Sequence, residues 1–145
     1  MVNAGVVTAK LAELVARIAR VRTHTPANAE ELRQNQDTLD LVSFNLMLCV
    51  QSACDIASHI LADEGFRPAL TLSESFERLG EQGVISPETS AAMAKAAGLR
   101  NVVAHGYAGV DIHAVFQAAS RGVVDLDAFA SQVAAWMKGR SESPG

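Results

Sequence analysis

At 145 residues, 49% apolar and 19% charged, the chain is long enough for one domain with a buried core and too apolar to remain disordered. The net charge of −4 argues against a sequence-independent, high-affinity nucleic-acid binder, although it leaves room for a local basic cleft. No apolar stretch approaches the ~18 uninterrupted residues of a membrane span, and no secretion signal is visible, so we expect a cytoplasmic protein without a membrane segment.

The first predicted helix covers residues 4–23, where apolar side chains recur at helical spacing. This segment is basic, since it carries Lys10, Arg17, Arg20 and Arg22. The basic residues indicate either a contact with RNA or an acidic partner, or simply a solvated helix face.

A long second helix is predicted over residues 29–63, with Asn28 and Glu31 as a capping pair at its start. Between residues 44 and 50 this helix is apolar nearly all round, because only Asn45 is polar. A helix of that kind is covered on more than one side. We therefore expect the bundle to cover one side and a second subunit to cover the other, which makes the protein a homodimer.

The same helix carries two cysteines and a polar stretch. Cys49 and Cys54 are too close along one helix to pair, and no metal-ligand spacing accompanies them, so we expect two buried free thiols and no metal site. Asp55 and His59 are spaced to hydrogen-bond along the helix. They either line a functional cleft or form a satisfied pair at the edge of the bundle.

The second half of the chain continues in helices. Thr71 with Glu74 predicts a capping box for a short helix, Ser86 with Pro87 predicts the start of another, and Asp111 predicts the cap of a third. The expected helices cover residues 72–82, 87–105, 111–120 and 125–138, with a break at Gly122 and a frayed tail from about residue 139. With no strand signal, the chain is predicted to be one all-α domain, an up-down bundle of about five to six helices. His24 and His113 are expected to be surface or packing residues.

The residues with the most suggestive chemistry lie at the end of the fourth predicted helix, where Arg100, His105 and Tyr107 fall within eight residues. Arginine binds phosphate oxygens in a bidentate way, and histidine moves protons near neutral pH. Five residues rotate an ideal helix by about 140°, so Arg100 and His105 do not share one face. They converge only if the helix end distorts, or if a cleft spans several elements or subunits.

This string resembles a known family. Arg100-x4-His105-x-Tyr107, with Asn101 after the arginine, is similar to the signature of HEPN-domain ribonucleases, in particular the HepT-like toxins paired with MNT nucleotidyltransferase antitoxins. The resemblance extends upstream through Gln51-Ser52-Ala53-Cys54-Asp55-Ile56-Ala57-Ser58-His59 and Glu64-Gly65-Phe66-Arg67-Pro68. It covers roughly residues 35 to 137.

The resemblance implies a HEPN-like helical homodimer that acts as the toxin of a bacterial type VII toxin–antitoxin system. Arg100 and His105 would be the catalytic residues of a metal-independent endoribonuclease without a cofactor. Asp55, His59 and Asn101 would be possible residues lining its cleft. Tyr107 would accept AMP from the cognate MNT antitoxin, and the added phosphates would repel RNA beside Arg100 and His105.

Two other interpretations stay open. The chain is alternatively a non-catalytic helical module that binds nucleotide or scaffolds a nucleotidyltransferase partner, which its acidic net charge fits slightly better. In the third interpretation it is a simple helical bundle, in which Arg100 pairs with an acidic residue and His105 only caps its helix.

Overall fold

The structure, a computed structural model, describes the backbone of residues 4–105 and 111–142 and the side chains of residues 4–98 and 111–140. Within these ranges the chain is all-α, as predicted, and contains no strand. The helices are α1 (Ala4–His24), α2 (Ala29–Gln34), α3 (Gln36–Asp63), α4 (Leu72–Glu81), α5 (Pro87–His105), α6 (Ile112–Gln117) and α7 (Val123–Glu142). A π-helical turn over Ala118–Gly122 joins α6 to α7 without interruption, so these segments form one continuous last helix.

Helix α3 is the centre of the bundle. It makes its most extensive contact with α1 and also packs against α4, α5 and α7. Val42, Cys49, Ile56 and Ile60 are completely buried along its inner side. By length and composition α3 is apolar enough to cross a bilayer, contrary to our expectation, but more than half of its most apolar stretch is buried inside the bundle. A helix at the centre of a protein core is as apolar as a membrane span, because other helices cover it on most sides.

The predicted helix starts are confirmed where a side chain caps its own backbone. Asn28 Oδ1 accepts a hydrogen bond from Glu31 N at 2.9 Å. Thr71 Oγ1 accepts from Glu74 N at 3.1 Å, and a Glu74 carboxylate oxygen accepts in turn from Leu70 N at 2.9 Å. These reciprocal bonds satisfy amide groups that have no partner inside the first turn of a helix.

The other two predicted caps are also present. Ser86 Oγ accepts a hydrogen bond from Thr89 N at 3.1 Å, and Asp111 Oδ1 accepts one from Ala114 N at 3.2 Å. The helix ends are formed by glycine at two positions, since Gly65 has φ +66° and Gly83 has φ +74°. Side chains larger than glycine rarely adopt this left-handed conformation, so these residues stop α3 and α4 where the sequence indicates.

Three boundaries differ from the prediction. The helix expected over residues 29–63 is divided, because Asn35 adopts an extended backbone and its side chain caps α3 by accepting from Thr38 N at 3.1 Å. The break expected at Gly122 is the π-helical turn, so the helix bulges there and continues. The tail expected from residue 139 is helical as far as Glu142, where Arg140 forms an ion pair with Glu64 and lies over the Trp136 ring.

The apolar stretch of residues 44–50 is covered within one chain more fully than predicted. Asn45, Leu46, Cys49 and Val50 are buried by the bundle itself, whereas Met47 and Leu48 are only partly covered and Phe44 is 54% exposed. Asn45 is accommodated because its amide donates to Leu41 O at 2.8 Å and its carbonyl accepts from Arg17 at 3.3 Å. The stretch therefore leaves an apolar strip on the surface rather than an entirely uncovered helix.

Helices α4 and α5 form an antiparallel hairpin held at close range. Ser90 Oγ donates to Phe76 O at 2.9 Å, and Ser73 Oγ donates to Ala94 O at 2.9 Å. The helices approach closely because α4 has a glycine opposite Ser90. A Cβ added at Gly80 would lie 2.6 Å from Ser90 Oγ and 2.7 Å from its Cβ. The hairpin fixes the position of α5, which carries the Arg100–His105 motif.

Gly80→Ala should therefore destabilise the protein by about 1–3 kcal/mol, because either the helices separate or Ser90 moves and loses its buried hydrogen bond. Gly98→Ala is the matched control, since a Cβ there meets no described atom within 4 Å. Alanine lowers the backbone entropy of the unfolded chain, so that variant should be about 0.4–1 kcal/mol more stable. Urea unfolding of both variants measures the difference, and equal stabilities would contradict the close contact.

Candidate active site

The motif lies on the last turns of α5. The backbone of this helix is regular from Pro87 to His105, so Arg100 and His105 lie on one continuous α-helix. The side chains of Arg100, Asn101 and His105 lie outside the described residues, and so does the whole of Tyr107. Their roles stay predictions.

The regular backbone nevertheless decides one question left open by the sequence. Five residues of an ideal helix separate two positions by about 140° and about 7.5 Å along the axis. Because the helix is regular as far as His105, a distorted helix backbone does not bring Arg100 and His105 to one face. A cleft that used both groups would therefore draw on two positions about 140° apart around α5, with the help of another element or another subunit.

Two neighbouring elements lie at the same end of the bundle as the motif. The hydrogen bond from Ser73 to Ala94 places the start of α4 beside the second half of α5. Ser58 and Ala62, near the end of α3, border the same small pocket as Ser75 of α4. The end of α3, the segment 64–71 and the last turns of α5 therefore share one end of the bundle.

The structure separates the two polar residues that were predicted on α3. Asp55 accepts a hydrogen bond from Gln51 Nε2 at 3.1 Å and lies 3.7 Å from Lys10 Nζ on α1. Among the described side chains, His59 makes no hydrogen bond or ion pair with Asp55. Asp55 is thus part of the α1–α3 contact, which favours the structural interpretation of this residue. His59 is half-buried on the same helix, and its role in a cleft stays a prediction.

Most of the basic residues on α1 contact their own chain. Lys10 pairs with Asp55, Arg17 donates to Asn45, and Arg22 lies 3.4 Å from an Asp127 carboxylate oxygen. Arg20 is exposed. The pattern agrees better with a helix attached to its neighbours through its basic side chains than with a continuous RNA-binding face.

Both cysteines are buried and neither forms a disulfide, as predicted. Burial raises the pKa of the Cys49 thiol from 9.0 to about 12, and the nearby Arg17 guanidinium opposes the shift only in part. A thiol with this pKa stays protonated near neutral pH and is a poor nucleophile. In the part of the chain that the structure describes, no group of three or more His, Cys, Asp or Glu side chains could hold a metal ion.

Two pockets stand out on the surface. The larger, about 840 Å³, is lined by α1 and α7 alone, by small and apolar side chains for the most part, and does not include α5. The smaller, about 240 Å³, lies between the end of α3, the segment 64–71 and α4. No sequence pattern indicated this second pocket, apart from the resemblance of residues 64–68 to the family.

A comparison with known proteins decides the family. The profile of the HepT-like ribonucleases matches residues 13–133, which include every position of the Arg100–Tyr107 motif. This chain belongs to the HepT-like ribonuclease family. The fold and the resemblance read from the sequence are thereby confirmed at the level of the family.

Individual relatives add detail. The chain is 32% identical over 92 residues to the tRNA nuclease HepT of Aphanizomenon flos-aquae, and the match spans 63% of each chain. It is 25% identical over 120 residues to the mRNA nuclease HepT of Shewanella oneidensis, spanning 83% of this chain and 90% of the relative. Both relatives are nucleases, but they are named for different RNA classes, so the family alone does not give the substrate of this protein.

The bundle is also similar to solved structures. It superposes with a TM-score of 0.81 on the tri-AMPylated Shewanella oneidensis HEPN toxin in complex with MNT antitoxin. That comparison covers 89% of this chain and 96% of the other at 24% identity. The HEPN fold predicted from the sequence is therefore confirmed, while the dimer is not tested by it.

Proposed function

We propose that this protein is the ribonuclease toxin of a bacterial toxin–antitoxin pair, with an MNT nucleotidyltransferase as its antitoxin. The observation that carries the proposal is the complete Arg100-x4-His105-x-Tyr107 motif in the sequence, inside the region matched by the HepT-like ribonuclease family, with positions 100 and 105 in the last turns of α5. The named activities of the two relatives, on tRNA and on mRNA, support RNA as the substrate class.

The proposed chemistry is RNA cleavage in which the substrate supplies its own nucleophile. The ribose 2′-oxygen attacks the adjacent phosphorus, and the bond from phosphorus to the 5′-oxygen of the next nucleotide breaks. His105 takes the proton from the 2′-hydroxyl or gives one to the departing oxygen. Arg100 stabilises the negative charge that gathers on the phosphate oxygens. The reaction needs no metal, and DNA is not cleaved because it lacks the 2′-hydroxyl.

A homodimer supplies the geometry that one helix lacks. Since positions 100 and 105 are about 140° apart on an ideal helix, pairing two copies would let the arginine of one and the histidine of the other face a common cleft. The exposed strip of Phe44, Met47 and Leu48 on α3 supports such an interface, because an apolar surface of this kind is typically covered in an assembly. The net charge of −4 is then compatible with RNA binding, because only the cleft needs to be basic.

Regulation by the antitoxin is proposed to act on Tyr107. The tyrosine oxygen attacks the α-phosphorus of ATP, the bond to the β-phosphate breaks, and pyrophosphate leaves while the tyrosine proton passes to solvent or a base. The AMP group adds a negative phosphate two residues from His105. It competes with RNA for Arg100 and repels the RNA backbone.

The dimer is tested by charging the α3 strip. Phe44→Arg should convert the protein to a monomer and lower RNA cleavage at the same time, because a guanidinium would be buried without a partner. Val124→Arg is the control, since Val124 is similarly exposed, at 57% against 54% for Phe44, and lies on α7. Sedimentation at micromolar concentration gives the oligomeric state of both variants. A wild-type monomer that still cleaves RNA would overturn the shared cleft.

The catalytic residues are tested by Arg100→Ala and His105→Ala, each of which should reduce RNA cleavage by about 100-fold or more without unfolding the protein. His113→Ala, at an exposed position on α6, serves as the histidine control. Activity should persist in chelator. Mixing the two inactive variants should recover part of the activity, because mixed dimers regain one intact cleft.

The catalytic assignment is wrong if both variants fold and cleave RNA normally. Loss of wild-type activity in chelator would contradict the metal-free mechanism. If the wild type binds nucleotide or the antitoxin but cleaves no RNA under any of these conditions, the non-catalytic interpretation replaces the proposal.

The modification is tested with Tyr107→Phe, which keeps the ring and removes the acceptor oxygen. Wild type incubated with the partner and ATP should gain mass in steps of one AMP and lose RNA cleavage. Tyr107→Phe should gain no mass and should stay active in the presence of the partner. Intact mass measurement, followed by an activity assay, compares the two. Equal labelling of both proteins, or labelling that leaves cleavage unchanged, would show that Tyr107 is not the control point.

A further inference from the structure

The pocket of about 240 Å³ beside the segment 64–71 has the size and composition of a site for one planar ring. Drug-sized molecules occupy about 300–1,000 Å³, so this pocket is suited to something smaller. Its lining consists of Ser58, Leu61, Ala62, Phe66, Pro68, Ala69 and Ser75. The wall is therefore apolar, with one aromatic ring and two hydroxyl groups.

That combination matches the way in which proteins hold a single unpaired base of RNA. Such bases stack on aromatic side chains and hydrogen-bond through their edges. Phe66 is half-buried and contributes the aromatic surface. Ser58 is exposed, and Ser75 donates its hydroxyl hydrogen to Thr71 O at 3.3 Å, so that its oxygen retains the capacity to accept a hydrogen bond.

The charges around the pocket favour a phosphate next to that base. Arg67 is exposed and, among the described residues, has no carboxylate within ion-pair distance. Two neighbouring carboxylates are engaged elsewhere, since Glu64 pairs with Arg140 and Glu74 pairs with Arg78. Arg67 is thus an available cation beside the pocket, and a guanidinium is suited to bind a phosphate group.

The pocket also lies at the catalytic end of the bundle. The Ser73–Ala94 and Ser90–Phe76 hydrogen bonds set α4 antiparallel to α5, so the segment preceding α4 continues toward the positions of α5 that follow Ala94. On a regular helix Arg100 is six residues, or about 9 Å, beyond Ala94. The antiparallel hairpin therefore puts the pocket and the last turns of α5 at the same end of the bundle, and one RNA strand that lay across this end would pass both.

We infer that this pocket binds an unpaired base of the RNA substrate near the scissile phosphate, with Arg67 on the RNA backbone. The inference rests on the proposed ribonuclease function and adds a site for the sequence preference of cleavage. A protein partner is the competing occupant, because Leu70 stands beside the pocket with 91% of its surface exposed. The hydroxyls and Arg67 favour RNA, since a protein anchor of this size needs only apolar walls.

Adjacent residues provide a matched test. Ala69→Trp fills the pocket, whereas Leu70→Trp adds the same side chain to a position that does not line it. Arg67→Gln removes the proposed phosphate contact, and Arg20→Gln removes an equally exposed arginine from α1. Each variant is assayed with an RNA that carries 2′-deoxyribose at the cleavage site, which reports binding without cleavage, and with a cleavable RNA library that is sequenced.

Ala69→Trp and Arg67→Gln should weaken binding of the uncleavable RNA on the order of tenfold, as expected for loss of one stacked base or one phosphate contact. KM should rise by a similar factor while kcat changes by less than about twofold, because the reacting groups stay in place. Ala69→Trp should also flatten the base preference beside the cut. Leu70→Trp and Arg20→Gln should bind and cleave like wild type.

Ser58→Leu fills the pocket from α3 and replaces Ala69→Trp if that variant does not fold. Unchanged affinity and base preference in a folded, pocket-filling variant of an active enzyme would overturn the inference and leave the proposed function intact. Equal loss of RNA binding in Leu70→Trp would also overturn the inference, because that variant does not fill the pocket. Loss of antitoxin binding alone in Ala69→Trp would overturn it in favour of a protein contact. A wild type that neither binds nor cleaves RNA would instead remove the proposed function.

Discussion

Burial of α3 is the constraint on which the rest of the bundle depends. An apolar helix of this length must be covered on most sides, and α1, α4, α5 and α7 all do so. The polar groups that it carries inward then need partners. Asn45, 4% exposed, illustrates this requirement, because it is satisfied by the backbone of its own helix and by Arg17 of α1. The same contact orients α1, and α7 then packs against α1.

The elements that the sequence predicted well are those whose causes are local. A cap such as Asn28, Thr71 or Asp111 bonds to an amide three residues away, so its partner is visible in the sequence itself. Glycine at the ends of α3 and α4 acts through its own backbone angle. The apolar spacing on α3 likewise reports which residues are buried, although it does not say which helix covers them.

The features that were missed depend on residues far away in the chain. Asp55 was paired with His59 in one interpretation of the sequence, but its carboxylate accepts from Gln51 and also lies beside Lys10, because α1 covers that side of α3. A frayed polar tail was predicted from about residue 139. The helix continues there instead, because Arg140 pairs with Glu64 and lies over the Trp136 ring. Asn35 is a local exception, because it was expected inside one long helix and instead caps α3 through a bond to Thr38 N. The small pocket needs three elements at once, so no local pattern could indicate it.

The proposed function places control at the end of α5, apart from the core side chains that the structure describes. Among the described residues, the largest buried side chains belong to α1, α2, α3, α4 and the last helix, with Met93 as the contribution of α5, earlier in that helix than Arg100. The positions of Arg100 and His105 follow at the end of α5, beyond these core residues. In the proposed function, a change of charge or of subunit pairing would act at this end of the bundle and not at the core side chains named above. An ideal helix separates positions 100 and 105 by about 140°, so a cleft that used both groups would draw on more than one element or subunit. The proposed activity would then depend on what is assembled around this end of the bundle, and not on α5 alone.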